Sequence, residues 1–197
     1  MTPNVDQLQH ALDGFAAILG ATDGADEAIW HSPTPCDQWD IRALVGHVVN
    51  GNILFGRLLT GAAVLPAAYA DLAADPLGDD AAGAFRQAAD AVVAGFDTPG
   101  VLERPVTVPF GTVPGAVALH LRITELLAHG WDLARALEVD AAFPTDVVEQ
   151  ELAFSLAAAA QVPAERKVFA PSHAVPEDAP PLERLVGVLG RDPAWRP

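Results

Sequence analysis

Apolar residues recur along this chain at spacings of three and four, the period that gathers them on one side of an α-helix. Val5, Leu8, Leu12, Phe15 and Leu19 make the first stripe, which predicts an amphipathic helix of about four turns closing at Gly20. From Ala21 to Trp39 runs a connection in which Pro33 and Pro35 preclude regular helix. Asp40 is a good N-cap for a second helix, whose seam reads Leu44, His47, Gly51, Leu54 and Leu58 and which Gly61 ends. After a loop or short helical piece containing Pro66 and Pro76, a cap at Asp79 opens a third helix with Phe85, Ala88, Ala89, Val92 and Phe96 inward. Between Val101 and Pro114 valines alternate with prolines, which predicts an extended excursion or irregular hairpin. Pro114 suits the first turn of a fourth helix reaching Leu137. Thr145 caps a fifth helix with Val148, Leu152, Leu156 and Ala159 on its apolar side. A proline-rich, surface-running linker follows Pro163, and Leu182, Leu185, Val186 and Leu189 form a short amphipathic helix before Gly190. The pattern predicts an all-α chain, with a helical domain over residues 1–162 and a linker plus small helix over 163–197 packed on it.

The fourth helix breaks the apolar rule. Ala118, Arg122, Glu125, His129, Asp132 and Ala136 fall on one line, so four ionisable groups occupy a seam that ordinarily faces partner helices. Flanked by leucines, such a line is either a solvent strip or a functional interior. Glu125 and His129 are four residues apart, which puts their Cβ atoms about 5–6 Å from each other. Alone, the pair reads as an ordinary surface contact. On the second helix, however, His47 stands where a leucine would serve, and Gly51 one turn on removes a side chain, for close helix contact or for room beside the imidazole. Asn50 and Asn52 can hydrogen-bond a ring nitrogen or a bound molecule. Trp131 points away from the polar line and is expected under a loop or in a contact.

Charge and composition narrow the classes. A formal charge of -15 argues against nucleic acid, whose binding rests on cationic groups that release counterions. The chain has no apolar run of the roughly 18–20 residues a membrane span needs and no secretory-type amino terminus, so a soluble cytoplasmic protein is expected. The single cysteine, Cys36, excludes an internal disulfide and a cysteine-rich zinc site. It sits in the proline-rich loop outside the helical ligand frame and reads as a small loop residue. Any metal must then be held by nitrogen and oxygen. His47, Glu125 and His129 supply two imidazoles and a carboxylate from two helices, a set that catalytic zinc uses with an open position. Iron(II), nickel and manganese accept the same donors. Asp132 can orient His129 from behind, and Arg122 can neutralise an anionic ligand.

The runs TPCDQWDIRALVGHVVNGN, FGTVPGAVALHLRITELLAHGWDLARAL and DAPPLERLVGVLGRDPAW resemble the actinobacterial DinB-like family related to the amino-terminal domain of mycothiol-dependent maleylpyruvate isomerase. The resemblance implies a DinB/YfiT-like four-helix bundle holding a divalent metal, usually zinc, at His47, Glu125 and His129. It implies a low-molecular-weight thiol such as mycothiol as cofactor, with Arg122 and Asn50 as candidate contacts, and a transferase or isomerase reaction on small electrophiles. The isomerase carries a further domain where this chain has a short segment after Pro163, so the isomerisation itself is not expected. The alternatives are a non-catalytic metal- or ligand-binding bundle and a purely structural protein whose polar line faces water. A monomer or homodimer is expected.

Overall fold

The computed structural model describes residues 3–61, 72, 75–109, 111–161 and 171–197. Among them are six α-helices and one small two-stranded sheet: α1 (Val5–Leu19), α2 (Ile41–Thr60), α3 (Ala81–Phe96), β1 (Pro105–Val108), β2 (Gly111–Pro114), α4 (Gly115–Ala136), α5 (Thr145–Gln161) and α6 (Pro181–Val188). The expected loop around Pro66 and the start of the linker after Pro163 lie outside the described residues. No helix among those described is long and apolar enough to cross a membrane.

Helix starts follow the side chains that satisfy their free amides. Asn4 accepts from the Gln7 amide while Gln7 returns a carbonyl to the Asn4 amide, a capping box at α1. Asp40 accepts from the Ala43 amide at 2.9 Å and starts α2 as expected. At α3 the cap is Asp80, one residue beyond the expected Asp79, because its carboxylate reaches the Gly83 amide at 2.7 Å. The valine-rich excursion is a regular antiparallel hairpin in which Pro105 pairs with Pro114 at the open end. Proline there interrupts no interior pairing. Val106 and Val108 turn into the core while Pro105 and Thr107 face out.

The core lies where α1, α2, α3 and α4 meet. The rings of Phe15 and Phe85 stack at 4.9 Å between α1 and α3, and those of Phe55 and Phe96 lie 6.2 Å apart between α2 and α3. The stripe of α3 buries as predicted, and that of α1 does so from Leu8 onward, with Val5 half-buried at its start. On α2 the buried face is wider than the seam: Leu44, Val45, Val48, Phe55 and Leu59 fill the main core, while Leu54 and Leu58 form a small separate cluster. The line through His47 therefore runs along the edge of that face. On α5 the expected stripe fails in its second half, since Leu156 is 47% exposed and Ala159 faces solvent. The helix instead turns Glu151 and Ser155 inward, because Glu151 bonds to His120 and Thr124 of α4. Helix α6 packs against α4 and α5, and Trp131 is buried beneath the Arg135 guanidinium, 5.1 Å from the ring centre.

Candidate metal centre

The polar line of α4 is interior. Arg122 is 1% exposed, His129 5% and Asp132 0%, which overturns the solvent-strip reading. Burying so many ionisable groups is costly unless each is paired, so their partners carry the account. Helix α2 brings His47 across from α4, and its Nε2 lies 3.1 Å from Glu125 Oε2. His129 Nε2 lies 3.6 Å from the same oxygen. One ligand atom from each of the three residues falls within 4.8 Å of the others. Donors about 2.0–2.1 Å from a tetrahedral zinc ion stand about 3.3–3.4 Å apart, so the two measured separations bracket the spacing a shared ion needs. The donor chemistry thus fits a divalent metal, and the two separations to Glu125 suit a shared ion.

Each ring is oriented from behind or above. His129 Nδ1 lies 3.0 Å from Asp132 Oδ2, leaving Nε2 toward Glu125. The Trp39 ring covers both imidazoles, 4.5 Å from His47 and 5.6 Å from His129 between centroids, and the imidazoles meet edge to face at 5.0 Å. Burial alone would raise the Glu125 carboxyl, but the hydrogen bonds of His129 and His47 and the charge of Arg122 hold it well below the usual range. Burial would lower His129, yet Asp132, Cys36 and Glu125 together hold it well above the ordinary imidazole value. Asp132 is kept below the usual carboxylate range against its burial by His129 and Arg191. Without a metal the centre is a proton-holding ion cluster, and a cation would take the place of the His129 proton.

One turn beneath Glu125, Arg122 is sealed between α2 and α4. A Cβ at position 51 would stand 2.3 Å from its Nη1, so Gly51 makes room for this guanidinium and not for the imidazole of His47. Arg122 lies over the Phe55 ring at 5.9 Å, and its Nε and Nη2 have no hydrogen-bond partner among the described residues. Burial lowers its pKa, with the charge of Glu125 opposing. Asn50 is half-buried and lines a groove of about 420 Å³ together with Trp39, Asp40, Arg42, Gly46, His47, Asp75 and Pro76. Arg122 does not line this groove. Asn52 is fully buried with no partner for its amide among the described residues and reaches neither imidazole.

Three residues at the centre escaped the sequence reading. Cys36 is not a bystander: its Sγ donates to Asp132 Oδ2 at 3.2 Å, and Cys36, His129 and Asp132 form a second set of donors within 4.8 Å. Trp39 supplies the aromatic cover. Both are set by a closed loop, in which the Thr34 hydroxyl donates to the Trp39 carbonyl at 2.8 Å and Pro33 pairs with Asp40. The signal was nearness to the helix start: a loop ending at Asp40 must pass close to a residue two turns into α2. Arg191, on the far tail, forks onto Asp132 through Nε at 3.3 Å and Nη2 at 3.0 Å. No periodicity announces it.

Fold and site together define a mostly helical protein with a candidate two-histidine, one-carboxylate metal centre. Its sequence matches the mycothiol maleylpyruvate isomerase N-terminal domain over residues 8–134, and the chain belongs to that family. It is 36% identical over 185 residues to two uncharacterized proteins of Mycobacterium tuberculosis, one from strain CDC 1551 / Oshkosh and one from strain H37Rv, covering 93% of this chain and 94% of each relative. No solved structure matches it.

Proposed function

We propose that this chain is a DinB-like four-helix bundle that holds one divalent ion, zinc first, through His47, Glu125 and His129, and uses a low-molecular-weight thiol of the mycothiol kind on small electrophiles. The carrying observation is that donor atoms from two separate helices converge within 4.8 Å in a member of this family. A bound divalent ion supplies thiolate at neutral pH, because coordination favours the deprotonated sulfur. The chain's own groups do the rest. His47 and His129 would each present a ring nitrogen to the ion, and Asp132 fixes which nitrogen of His129 faces inward. Trp39 keeps water off one side of both rings. The groove beside His47 has the size for a small molecule, and Asn50 lines it. Arg122 adds positive charge one turn below, which favours an anionic occupant over a neutral one without touching it.

A second reading, capture without turnover, draws on the groove itself. Apart from His47, its ionisable lining among the described residues is already paired within the protein, Arg42 with Asp75 at 2.6 Å and Asp40 with His31 at 3.1 Å, so the groove adds no further acid or base in an unpaired state. Calorimetric titration of mycothiol into metal-loaded protein tests the leading reading. Binding that requires the metal supports it, and no heat at millimolar thiol contradicts it. Thiol binding with no turnover across epoxide, maleyl and ester substrates selects capture.

A further inference from the structure

Helix α6 ends at Val188, after which Gly190 takes φ of +83° and the amides of Gly190 and Arg191 return to the carbonyls of Gly187 and Val186 at 3.1 and 2.9 Å. That pair of bonds around a left-handed glycine is the Schellman closure, and it fixes the direction in which the next residue leaves the helix. The next residue is Arg191. Its Nη1 donates to the Leu189 carbonyl at 3.2 Å, bracing the side chain across the helix end, while Nε and Nη2 fork onto the two oxygens of Asp132. Cys36 Sγ donates to Asp132 Oδ2 and accepts from Arg191 Nη2 at 3.4 Å. Three segments far apart in sequence, the loop before α2, the C-terminal end of α4 and the C-terminal turn, therefore meet on one carboxylate that has no solvent exposure.

A forked guanidinium fixes the plane of a carboxylate as well as its charge. The plane of Asp132 in turn sets the rotation of the His129 ring, through the 3.0 Å contact at Nδ1, and so where Nε2 points. We infer that Arg191 is a positioning residue of the metal centre: the C-terminal turn, acting through Asp132, aims His129 Nε2 at the point it shares with His47 and Glu125. The inference rests on the metal reading above. It adds that a residue well beyond the family-matched stretch 8–134 is needed for a tight site.

The test measures cobalt(II) affinity and the visible ligand-field spectrum of full-length, untagged protein. Removing a group that holds a ligating histidine typically costs about 10- to 100-fold in metal affinity. Arg191→Met is expected to lose affinity in that range and to shift the cobalt bands, and Arg191→Lys to lose less, since lysine restores the charge but not the fork. Asp132→Asn is expected to lose a similar amount. Combining Arg191→Met with Asp132→Asn should cost no more than Asp132→Asn alone, because both act along one path. Arg196→Gln, on the exposed end of the same tail, should change nothing. Wild-type affinity with unshifted bands in both Arg191 variants, or additive losses in the double variant, would overturn the inference. Should Arg191→Met fail to fold, the affinity and spectrum of Arg191→Lys decide alone. No cobalt binding by the wild type would instead bring down the metal reading itself.

Discussion

Helix α4 sets a histidine against a carboxylate on each of two faces, Glu125 from α4 itself on one and Glu151 from α5 on the other, and the two arrangements are built to opposite ends. On one face His129 and Glu125 meet His47 of α2, with one carboxylate oxygen shared between two ring nitrogens at 3.1 and 3.6 Å. On the other, His120 Nδ1 meets both oxygens of Glu151 at 2.8 and 3.0 Å, the Thr124 hydroxyl donates to Glu151 at 3.0 Å, and the His120 ring stacks on Phe154 at 4.2 Å. The second face is satisfied by the protein alone. The first converges its donors from three directions on one region, keeps His47 39% exposed, and opens to a groove. Residue types do not distinguish a structural histidine from a candidate ligand. What distinguishes them is whether the partners close the hydrogen bonds among themselves or aim them at a common point.

The sharpest way to break this contrast is to remove one histidine from each face. His129→Ala should abolish stoichiometric metal binding, read by elemental analysis of untagged protein, while His120→Ala keeps the metal. His120→Ala should instead cost about 3 kcal/mol of folding stability in urea, because a buried carboxylate loses its main partner. Metal loss in both variants would dissolve the distinction. Next comes Gly51→Ala, whose added Cβ must displace the buried Arg122 guanidinium. It should cost about 1–3 kcal/mol in the same denaturation assay, more than the few tenths to one that alanine ordinarily gains in a helix interior. Smaller still is Glu151→Gln, which keeps size and most hydrogen bonds and should cost about 1 kcal/mol with metal content unchanged.

Acidity offers a further separation. In the metal-free protein His129 titrates well above its ordinary value, so its contribution to stability is complete below about pH 6.5 and is lost as pH rises through the raised value. Glu125 titrates well below its own, so its contribution is present above about pH 4.3 and is lost as pH falls through the lowered value. Metal must displace the His129 proton, so affinity should climb with pH across the range in which that proton leaves. Calorimetry at several pH values checks this, and an affinity flat from pH 6 to 9 would show that no such proton is displaced.

Much of the fold was legible because helix stripes and caps are local. The Asp40 cap, the α1 stripe and the end of α2 at Gly61 each depend on residues within a turn or two. The polar line of α4 was legible as a pattern, and the spacing of Glu125 and His129 with an out-of-place His47 picked out residues that the fold does bring together. What stayed hidden was long-range. The inward turn of α5 answers a carboxylate pairing with His120 that no spacing reveals, and so Leu156 was placed inside. Gly51 was noticed, but its reason lies on another helix. Cys36 was set aside for sitting in a loop, although that loop folds back so that the thiol touches Asp132.

The account depends most on His47, Glu125 and His129 sharing one ion. Crystals of untagged protein grown with zinc and measured on both sides of the zinc absorption edge address this directly. The account predicts one anomalous peak about 2.0–2.2 Å from a nitrogen of His47, a nitrogen of His129 and an oxygen of Glu125. A peak among Cys36, His129 and Asp132 instead, or none within reach of His47, would contradict it.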